Sequence, residues 1–245
     1  MEEQELSRKE RKDLKRQEKF THQQQQKQQK TFRRILLWSV VVVLLGIGVW
    51  GVIALVPEAP EIEEGSQIPA ITDQDHFKGS AEAFVVLVEY GDFQCPACAS
   101  YFSIVQQLAE EFSDEVKIVY RNFPLRSIHP QAQIAAQAAE AAALQGKFWE
   151  MHDLLFETQR EWSGALGMKE RLLSYAESVG LDTELFEKDL NSSGIKDKIQ
   201  TDVAGGQVGG VPGTPTFFLQ GQRIVNPRNY EEFQALILRA LEQGA

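Results

Sequence analysis

The hydrophobic pattern divides the chain into a polar start, one long apolar stretch, and a body in which strand and helix patterns alternate. Residues 35–56 carry no charge and are dominated by Val, Leu and Ile. Residues 83–90 form a short apolar run rich in β-branched residues, typical of a strand buried on both faces. A helix is predicted to begin at Cys95, and a strand over 116–121 completes a β-α-β unit whose strands are parallel.

Helical spacing dominates the middle of the body, and strand patterns return near its end. Apolar residues recur at helical intervals in five segments: 131–144, 148–156, 169–179, 183–190 and 195–204. A β-hairpin is predicted for 216–220 and 223–225, which flank Gly221-Gln222, and a last amphipathic helix for 229–241. The predicted order is therefore βαβ, a helical block, and ββα.

Charge is distributed unevenly among these regions. Residues 1–34 hold 11 Lys and Arg against 6 Asp and Glu, whereas residues 57–245 hold 14 against 29. The basic, Gln-rich segment 1–34 is expected to be an unpacked tail, and the acidic, proline-punctuated segment 57–78 a linker. The body, 79–245, has the wrong sign to neutralise phosphates, which excludes nucleic acid as a partner.

The apolar stretch 35–56 is long enough to cross a bilayer, because about 20 helical residues span a hydrocarbon core of about 30 Å. Arg33 and Arg34 precede it and glutamates follow it, so the N-terminus is expected in the cytoplasm and the body outside. The alternative is a cleaved signal peptide, which has a shorter apolar core and a small-residue cleavage site that is not evident here. We therefore predict a retained, single-pass signal anchor.

Cys95 and Cys98 are the only cysteines in the chain, and they directly follow the first predicted strand. With Cys95 as the helix N-cap, Pro96 takes the first helical position, and the amides of Ala97 and Cys98 point at the Cys95 sulfur. The helix dipole adds positive potential, so a pKa of about 3.5 to 7.5, the range of Cys-x-x-Cys thiols, is expected. Cys98 lies one turn on, within reach of a disulfide.

This pattern predicts a redox-active dithiol. A substrate thiolate would attack Cys95 of the oxidised pair, Cys98 would leave, and a second substrate thiol would resolve the mixed disulfide; the reverse reaction begins with Cys95 as the nucleophile. The alternatives are a structural disulfide and half of a zinc site, which would need four ligands. The sequence contains no nucleotide, haem or metal motif, so no cofactor and no metal are expected.

Three ordered motifs resemble those of the DsbA-like branch of the thioredoxin superfamily, particularly its membrane-anchored bacterial members. They are VEYGDFQCPAC at 88–98, YRNFPL at 120–125 and GVPGTPTF at 210–217. The resemblance covers roughly 79–242 and implies an α/β thioredoxin fold with a helical insertion at about 126–208. It also implies a thiol–disulfide oxidoreductase held on the outer side of a bacterial cytoplasmic membrane.

The resemblance implies roles for further residues. Pro215 matches the family's cis-proline, which faces the cysteine pair, with Pro212 as the competing candidate; the backbone of Thr214 is expected to pair with an extended substrate strand. Glu89 matches a buried acid, whose raised pKa would let it exchange a proton with Cys98; the alternative is that it points to solvent.

The residues between the cysteines leave the direction of electron flow open. Pro96 and Ala97 are assigned to the substrate-binding surface, but they differ from the Pro-His of the strongly oxidising members, so one source of thiolate stabilisation is absent. Two histidines are interpreted without a chemical role: His129 as a cap or surface residue, and His152 as part of the core.

The main hypothesis is an oxidase that introduces disulfides into exported polypeptides and is recycled by a membrane redox partner. One alternative is a reductase or isomerase with the same chemistry. Another is a non-catalytic binding module that uses 35–56 only as a tether, which an unreactive Cys95 would favour.

Overall fold

The structure, a computed structural model, describes residues 62–244 together with Leu44, Leu45 and Ile47. These three residues are helical and exposed, whereas the rest of the predicted anchor and the whole of the predicted tail lie outside the described residues. Among the described residues, no helix is both long and apolar enough to cross a membrane. The chain divides into two compact units, 1–58 and 59–245, and the second contains the cysteine pair.

Between residues 62 and 244 the chain forms six strands and eight helices. The strands are β1 (Ile62–Gln67), β2 (His76–Lys78), β3 (Val85–Gly91), β4 (Val116–Asn122), β5 (Thr216–Leu219) and β6 (Gln222–Ile224). The first four helices are α1 (Pro96–Glu111), α2 (Ala132–Ala143), α3 (Phe148–Glu157) and α4 (Gln159–Trp162). The others are α5 (Met168–Ser178), α6 (Thr183–Asp189), α7 (Ser193–Val208) and α8 (Tyr230–Gly244).

All six strands belong to one sheet, in the order β1-β6-β5-β3-β4-β2. The central pair, β3 and β4, is parallel, with Val85 opposite Val116 and Gly91 opposite Asn122. The other pairs are antiparallel. Helices α2 to α7 are inserted between β4 and β5, so the predicted order of elements is observed.

The two edge strands differ from the sequence prediction. Strands β1 and β2 lie within residues 57–78, which were expected to form a linker, and they pair with β6 and β4. Their sequences, IEEGSQ and HFK, lack the continuous apolar run that identified β3. An edge strand is specified by its pairing partner as much as by its own sequence, so the local pattern did not reveal it.

Alternation along β3 sends its side chains into two different cores. Leu87 packs on one face with residues of α1 and α8, whereas Val88 and Tyr90 pack on the opposite face with Phe218. Because successive side chains of a strand point to opposite faces, Glu89 lies on the same side as Leu87, under α1.

Helix α7 covers the second face of the sheet at close range. A Cβ on Gly206 would lie 2.7 Å from the ring of Phe123 and 3.0 Å from Tyr90, so only glycine allows this approach. The first helix of the insertion, α2, is rich in alanine and is buried along most of its length. Small side chains at both places let the helices of the insertion pack closely in the domain that contains the cysteines.

A buried ion pair ties the segment before β2 to the sheet. The guanidinium of Arg121, on β4, donates to both carboxylate oxygens of Asp75 at 2.8 and 2.9 Å, and also to the carbonyl oxygens of Pro69 and Ala70. The side chains of Arg121 and Asp75 are each 5% exposed. Removing either charge would leave the other buried without a counter-charge.

The substitution Asp75→Ala is therefore expected to lower the free energy of unfolding by about 3–5 kcal/mol, the usual cost of breaking a buried pair. The matched control is Glu150→Ala, which breaks the exposed pair between Lys147 and Glu150 and should cost less than about 1 kcal/mol. Urea unfolding followed by circular dichroism measures both. Equal losses for the two variants would show that the pair at Asp75 does not anchor the segment.

Candidate active site

Helix α1 begins at the cysteine pair, directly after the loop that follows β3. Cys95 is the N-cap, with φ −73° and ψ 120°, and Pro96 follows at the start of the helix. As expected, the amides of Ala97 and Cys98 face the Cys95 sulfur and lower its pKa, although the geometry of a formed N-cap hydrogen bond is not reached. In its protonated form the Cys95 thiol can also donate to the carbonyl oxygen of Thr214, which lies 3.3 Å from its sulfur.

The two thiols have opposite electrostatic environments. The pKa of Cys95 is lowered to about 5, chiefly by a hydrogen bond from the Cys98 thiol and also by the Cys98 amide, against the opposing effect of burial. The pKa of Cys98, a fully buried residue, is raised well above its ordinary value by burial, by its bond to Cys95 and by the charge of Glu89. At neutral pH Cys95 is therefore the thiolate and Cys98 the thiol, which argues against an unreactive binding module.

The loop opposite the cysteines contains the cis-proline. The peptide bond between Thr214 and Pro215 is cis, whereas Pro212 is exposed and follows a trans bond. The side-chain amide of Asn226 donates to the carbonyl oxygen of Pro215 at 2.7 Å and so fixes the loop from the β6 side. The hydroxyl of Thr214 is buried without a hydrogen-bond partner among the described residues.

Glu89 lies beneath the cysteine pair and does not point to solvent. It is 4% exposed, and burial raises its pKa to about 8, with the charge of Cys95 adding to the shift. A small cavity beside Glu89, lined also by Tyr120 and His152, has a volume of about 10 Å³. That volume is close to what one water needs, so Glu89 has room for a solvent partner.

Tyr120 is a site residue to which the sequence analysis gave no role, although it begins the second motif. It lies opposite Glu89 in the parallel register of β3 and β4, and its buried hydroxyl has no partner among the described residues. A Cβ on Gly91 would lie 2.7 Å from this hydroxyl, so glycine is required next to it. His152 packs against the ring, with centroids 4.7 Å apart, in agreement with its interpretation as a core residue.

The helical insertion holds the active-site loop through side-chain amides. Gln159, at the start of α4, donates to the carbonyl oxygens of Phe93 and Cys95 at 2.8 and 2.9 Å. The side chain of Gln94 accepts from the backbone amide of Gln131 at 2.7 Å. The insertion therefore fixes the backbone on both sides of the first cysteine.

Asp92 connects this loop to His129. Its carboxylate accepts from His129 Nδ1 at 2.7 Å, and its own backbone amide donates to Cys98 Sγ at 3.5 Å. The sequence gave no local signal for this contact, because His129 lies outside the three motifs and is separated from Asp92 by 37 residues. In the described part of the chain, no three His, Cys, Asp or Glu side chains are grouped as metal ligands.

Comparison with known proteins agrees with this geometry. The family model for thioredoxin matches residues 72–239. The chain belongs to the thioredoxin family. BdbD from Bacillus subtilis has a TM-score of 0.65 and 25% identity, covering 72% of this chain and 97% of that protein. A thioredoxin-like oxidoreductase from Silicibacter pomeroyi has a TM-score of 0.60 and 29% identity, covering 70% and 94%.

The DsbA-like resemblance and the predicted α/β fold with its helical insertion are thereby confirmed for the thioredoxin domain. α-DsbA1 from Wolbachia pipientis, with a TM-score of 0.62 over 71% of this chain and 96% of its own, is 18% identical and supports the fold alone.

Curated relatives with higher identity are longer proteins. The chain is 43% identical over 173 residues to a protein named Na(+)/H(+) antiporter NhaA 1 from Salinispora arenicola. That match covers 71% of this chain and 26% of the relative. The chain therefore spans about a quarter of the length of the curated relatives it matches, and we attribute no antiport to it.

The raised pKa of Glu89 makes stability depend on pH. Between the ordinary value of 4.5 and about 8, the unfolded chain loses a proton that the folded chain keeps. This contribution to stability is complete below pH 4.5 and is lost as the pH rises toward 8. We expect Glu89→Gln to be more stable than the wild type at pH 7, by up to about 3 kcal/mol.

The difference should vanish below pH 4.5, and urea unfolding of the oxidised proteins across pH 4 to 8 measures it. Oxidation removes the titration of the thiols from the comparison. Glu82→Gln, at an exposed position, is the matched control and should leave the pH profile unchanged. A destabilised Glu89→Gln protein at pH 7 would show that Glu89 is charged and paired in the folded chain.

Proposed function

We propose that this protein is an extracytoplasmic disulfide oxidase that introduces disulfides into exported polypeptides through Cys95 and Cys98. The observation that carries the proposal is the low pKa of Cys95, about 5, next to the raised pKa of Cys98. A stabilised thiolate favours the reduced form, and this makes the disulfide a stronger oxidant. Thioredoxin, a reductant, has a thiol pKa of about 7, and the strongly oxidising DsbA about 3.5.

The geometry supports a definite order of events. A substrate thiolate attacks Cys95 Sγ of the oxidised pair, the bond to Cys98 breaks, and the electron pair goes to the Cys98 sulfur. Glu89, protonated over much of the neutral range, supplies the proton that converts this buried thiolate to the thiol. A second substrate thiolate then attacks the substrate sulfur of the mixed disulfide and releases reduced Cys95.

The exposed surface beside Cys95 suits an extended polypeptide. Pro96 and Ala97 are exposed on one side, and the cis-proline loop with Thr214 stands on the other. A substrate strand that bonds to the backbone at Thr214 would place its cysteine against Cys95, a form of β-strand addition. Because hydrogen bonds to the substrate backbone do not depend on its side chains, this mode of binding suits substrates of many sequences, as a general oxidase requires.

Residues 35–56 support a place on the outer side of a bacterial cytoplasmic membrane, with the basic segment 1–34 inside and the catalytic domain outside. The lipid bilayer would then be a permanent partner through this segment. Each turnover leaves the cysteines reduced, so a membrane redox partner that accepts two electrons is required to restore the disulfide.

One observation favours the alternative, a reductase or isomerase. Among the described groups that lower the pKa of Cys95, none is a cation, and Pro96-Ala97 supplies no histidine between the cysteines. A pKa of about 5 lies between those of thioredoxin and DsbA, so the potential decides between the two directions.

Cysteine variants of the full chain test the assignment. With reduced, unfolded ribonuclease A as substrate, Cys95→Ser is expected to abolish disulfide formation because it removes the attacked sulfur. When Cys95 of the Cys98→Ser protein is first joined to glutathione by oxidised glutathione, a substrate thiolate displaces the glutathione, and the resulting mixed disulfide through Cys95 is expected to accumulate on non-reducing gels because no Cys98 thiol is present to resolve it. Ser103→Ala, on the same helix and exposed, is the matched control and should keep full activity. Oxidation by the Cys95→Ser protein at the wild-type rate would overturn the proposal.

A further inference from the structure

The sulfur that must leave during oxidation, Cys98 Sγ, is faced by a backbone hydrogen-bond donor. The amide of Asp92 points at Cys98 Sγ with an N···S distance of 3.5 Å. Cys98 is 0% exposed, so water does not solvate the negative charge that develops on its sulfur. A donor aimed at that position stabilises the departing thiolate, as backbone amides do at developing oxyanions.

The side chain of Asp92 fixes the backbone that carries this donor. Its Oδ1 accepts from the amide of Gln94 at 2.7 Å, and its Oδ2 accepts from the amide of Leu125 at 2.9 Å. The carboxylate is completely buried. Two chain segments, the active-site loop and the loop after β4, are therefore joined through one side chain.

His129 completes this junction. Its Nδ1 lies 2.7 Å from Asp92 Oδ2, the same oxygen that binds the Leu125 amide. Because a carboxylate only accepts, Nδ1 carries the proton and donates it. The backbone amide of His129 also donates to the carbonyl oxygen of Leu125 at 2.8 Å, which closes the loop around the carboxylate.

We propose that His129 is a positioning residue for thiol–disulfide exchange: through Asp92 it holds the backbone amide of Asp92 against Cys98 Sγ. This inference rests on the proposed exchange chemistry at the cysteine pair and adds to it a residue outside the motif. The bond between Cys95 and Cys98 breaks as the bond to the substrate sulfur forms, and the electron pair passes to Cys98. The held amide stabilises that pair until a proton arrives.

The test measures how fast dithiothreitol reduces the oxidised full chain. His129→Leu removes the ring donor, and its reduction is expected to be about tenfold slower than that of the wild type. That loss is smaller than the roughly 100- to 1000-fold effect of deleting a donor, because the Asp92 amide is loosened and not removed. His129→Asn places an amide donor near the Nδ1 position and is expected to restore at least half of the lost rate.

A second measurement separates positioning from a general loosening of the site. Alkylation of Cys95 by iodoacetamide in the reduced protein does not involve departure of Cys98, so His129→Leu should change it by less than twofold. His76→Leu is the matched control: His76 also bonds a buried carboxylate, Glu140, at 2.9 Å, and the histidines are 19% and 16% exposed. Dithiothreitol should reduce the His76→Leu protein at the wild-type rate.

The outcomes are distinguishable. A wild-type chain whose disulfide does not exchange with dithiothreitol would defeat the proposed function itself. A wild-type chain that exchanges while His129→Leu matches its rate would overturn the role of His129 alone. Equal slowing of reduction and alkylation would also overturn it, since the effect would then be general. If His129→Leu does not fold, the His129→Asn protein provides the test. A folded His129→Asn protein that dithiothreitol reduces at one tenth of the wild-type rate or less would contradict the proposal.

Discussion

The hydrogen bond that the Cys98 thiol donates to the Cys95 sulfur organises the rest of the site; Cys95 is 6% exposed and Cys98 is fully buried. It lowers the pKa of Cys95, while burial, together with the same contact, raises the pKa of Cys98, and this difference separates the nucleophile from the leaving group. Burial of Cys98 carries a cost, because its sulfur must bear a negative charge during each reaction. In the proposed mechanism Glu89 supplies the proton for this sulfur, and the backbone amide of Asp92 donates a hydrogen bond to it.

The scaffold places these groups through its central parallel strands. Glu89 lies on the α1 face of β3, and Asp92 directly follows that strand, so both converge beneath the start of α1. The helical insertion acts on the same loop from outside, through Gln159 and its bonds to the carbonyl oxygens of Phe93 and Cys95. The insertion is thus part of the active site as well as a cover for the sheet.

Local features made part of this site predictable from the sequence. The apolar run of β3, the Cys-x-x-Cys that follows it and the proline before β5 are short-range signals, and Glu89 is a lone carboxylate inside an apolar strand. The structure buries Glu89 and places the cis bond at Pro215. The cis bond at Pro215 and the burial of Glu89 were implied by the family resemblance and not by the local pattern alone.

Other features depend on contacts between distant segments and escaped prediction. The edge strands β1 and β2 exist because β6 and β4 offer them partners. The orientation of the Cys95 thiol is set by Thr214, which is 119 residues away, and not by the helix start alone. His129 was interpreted as a cap or surface residue because its partner, Asp92, lies 37 residues earlier in the chain.

The most direct test of the account is the equilibrium reduction potential of the full chain against glutathione. The account predicts an oxidising value, nearer to the roughly −120 mV of DsbA than to the roughly −270 mV of thioredoxin, because the Cys95 thiolate stabilises the reduced form. Each 30 mV corresponds to about 1.4 kcal/mol for this two-electron couple, so the two ends are well separated. A value at or below about −250 mV would contradict the account and make the protein a reductase.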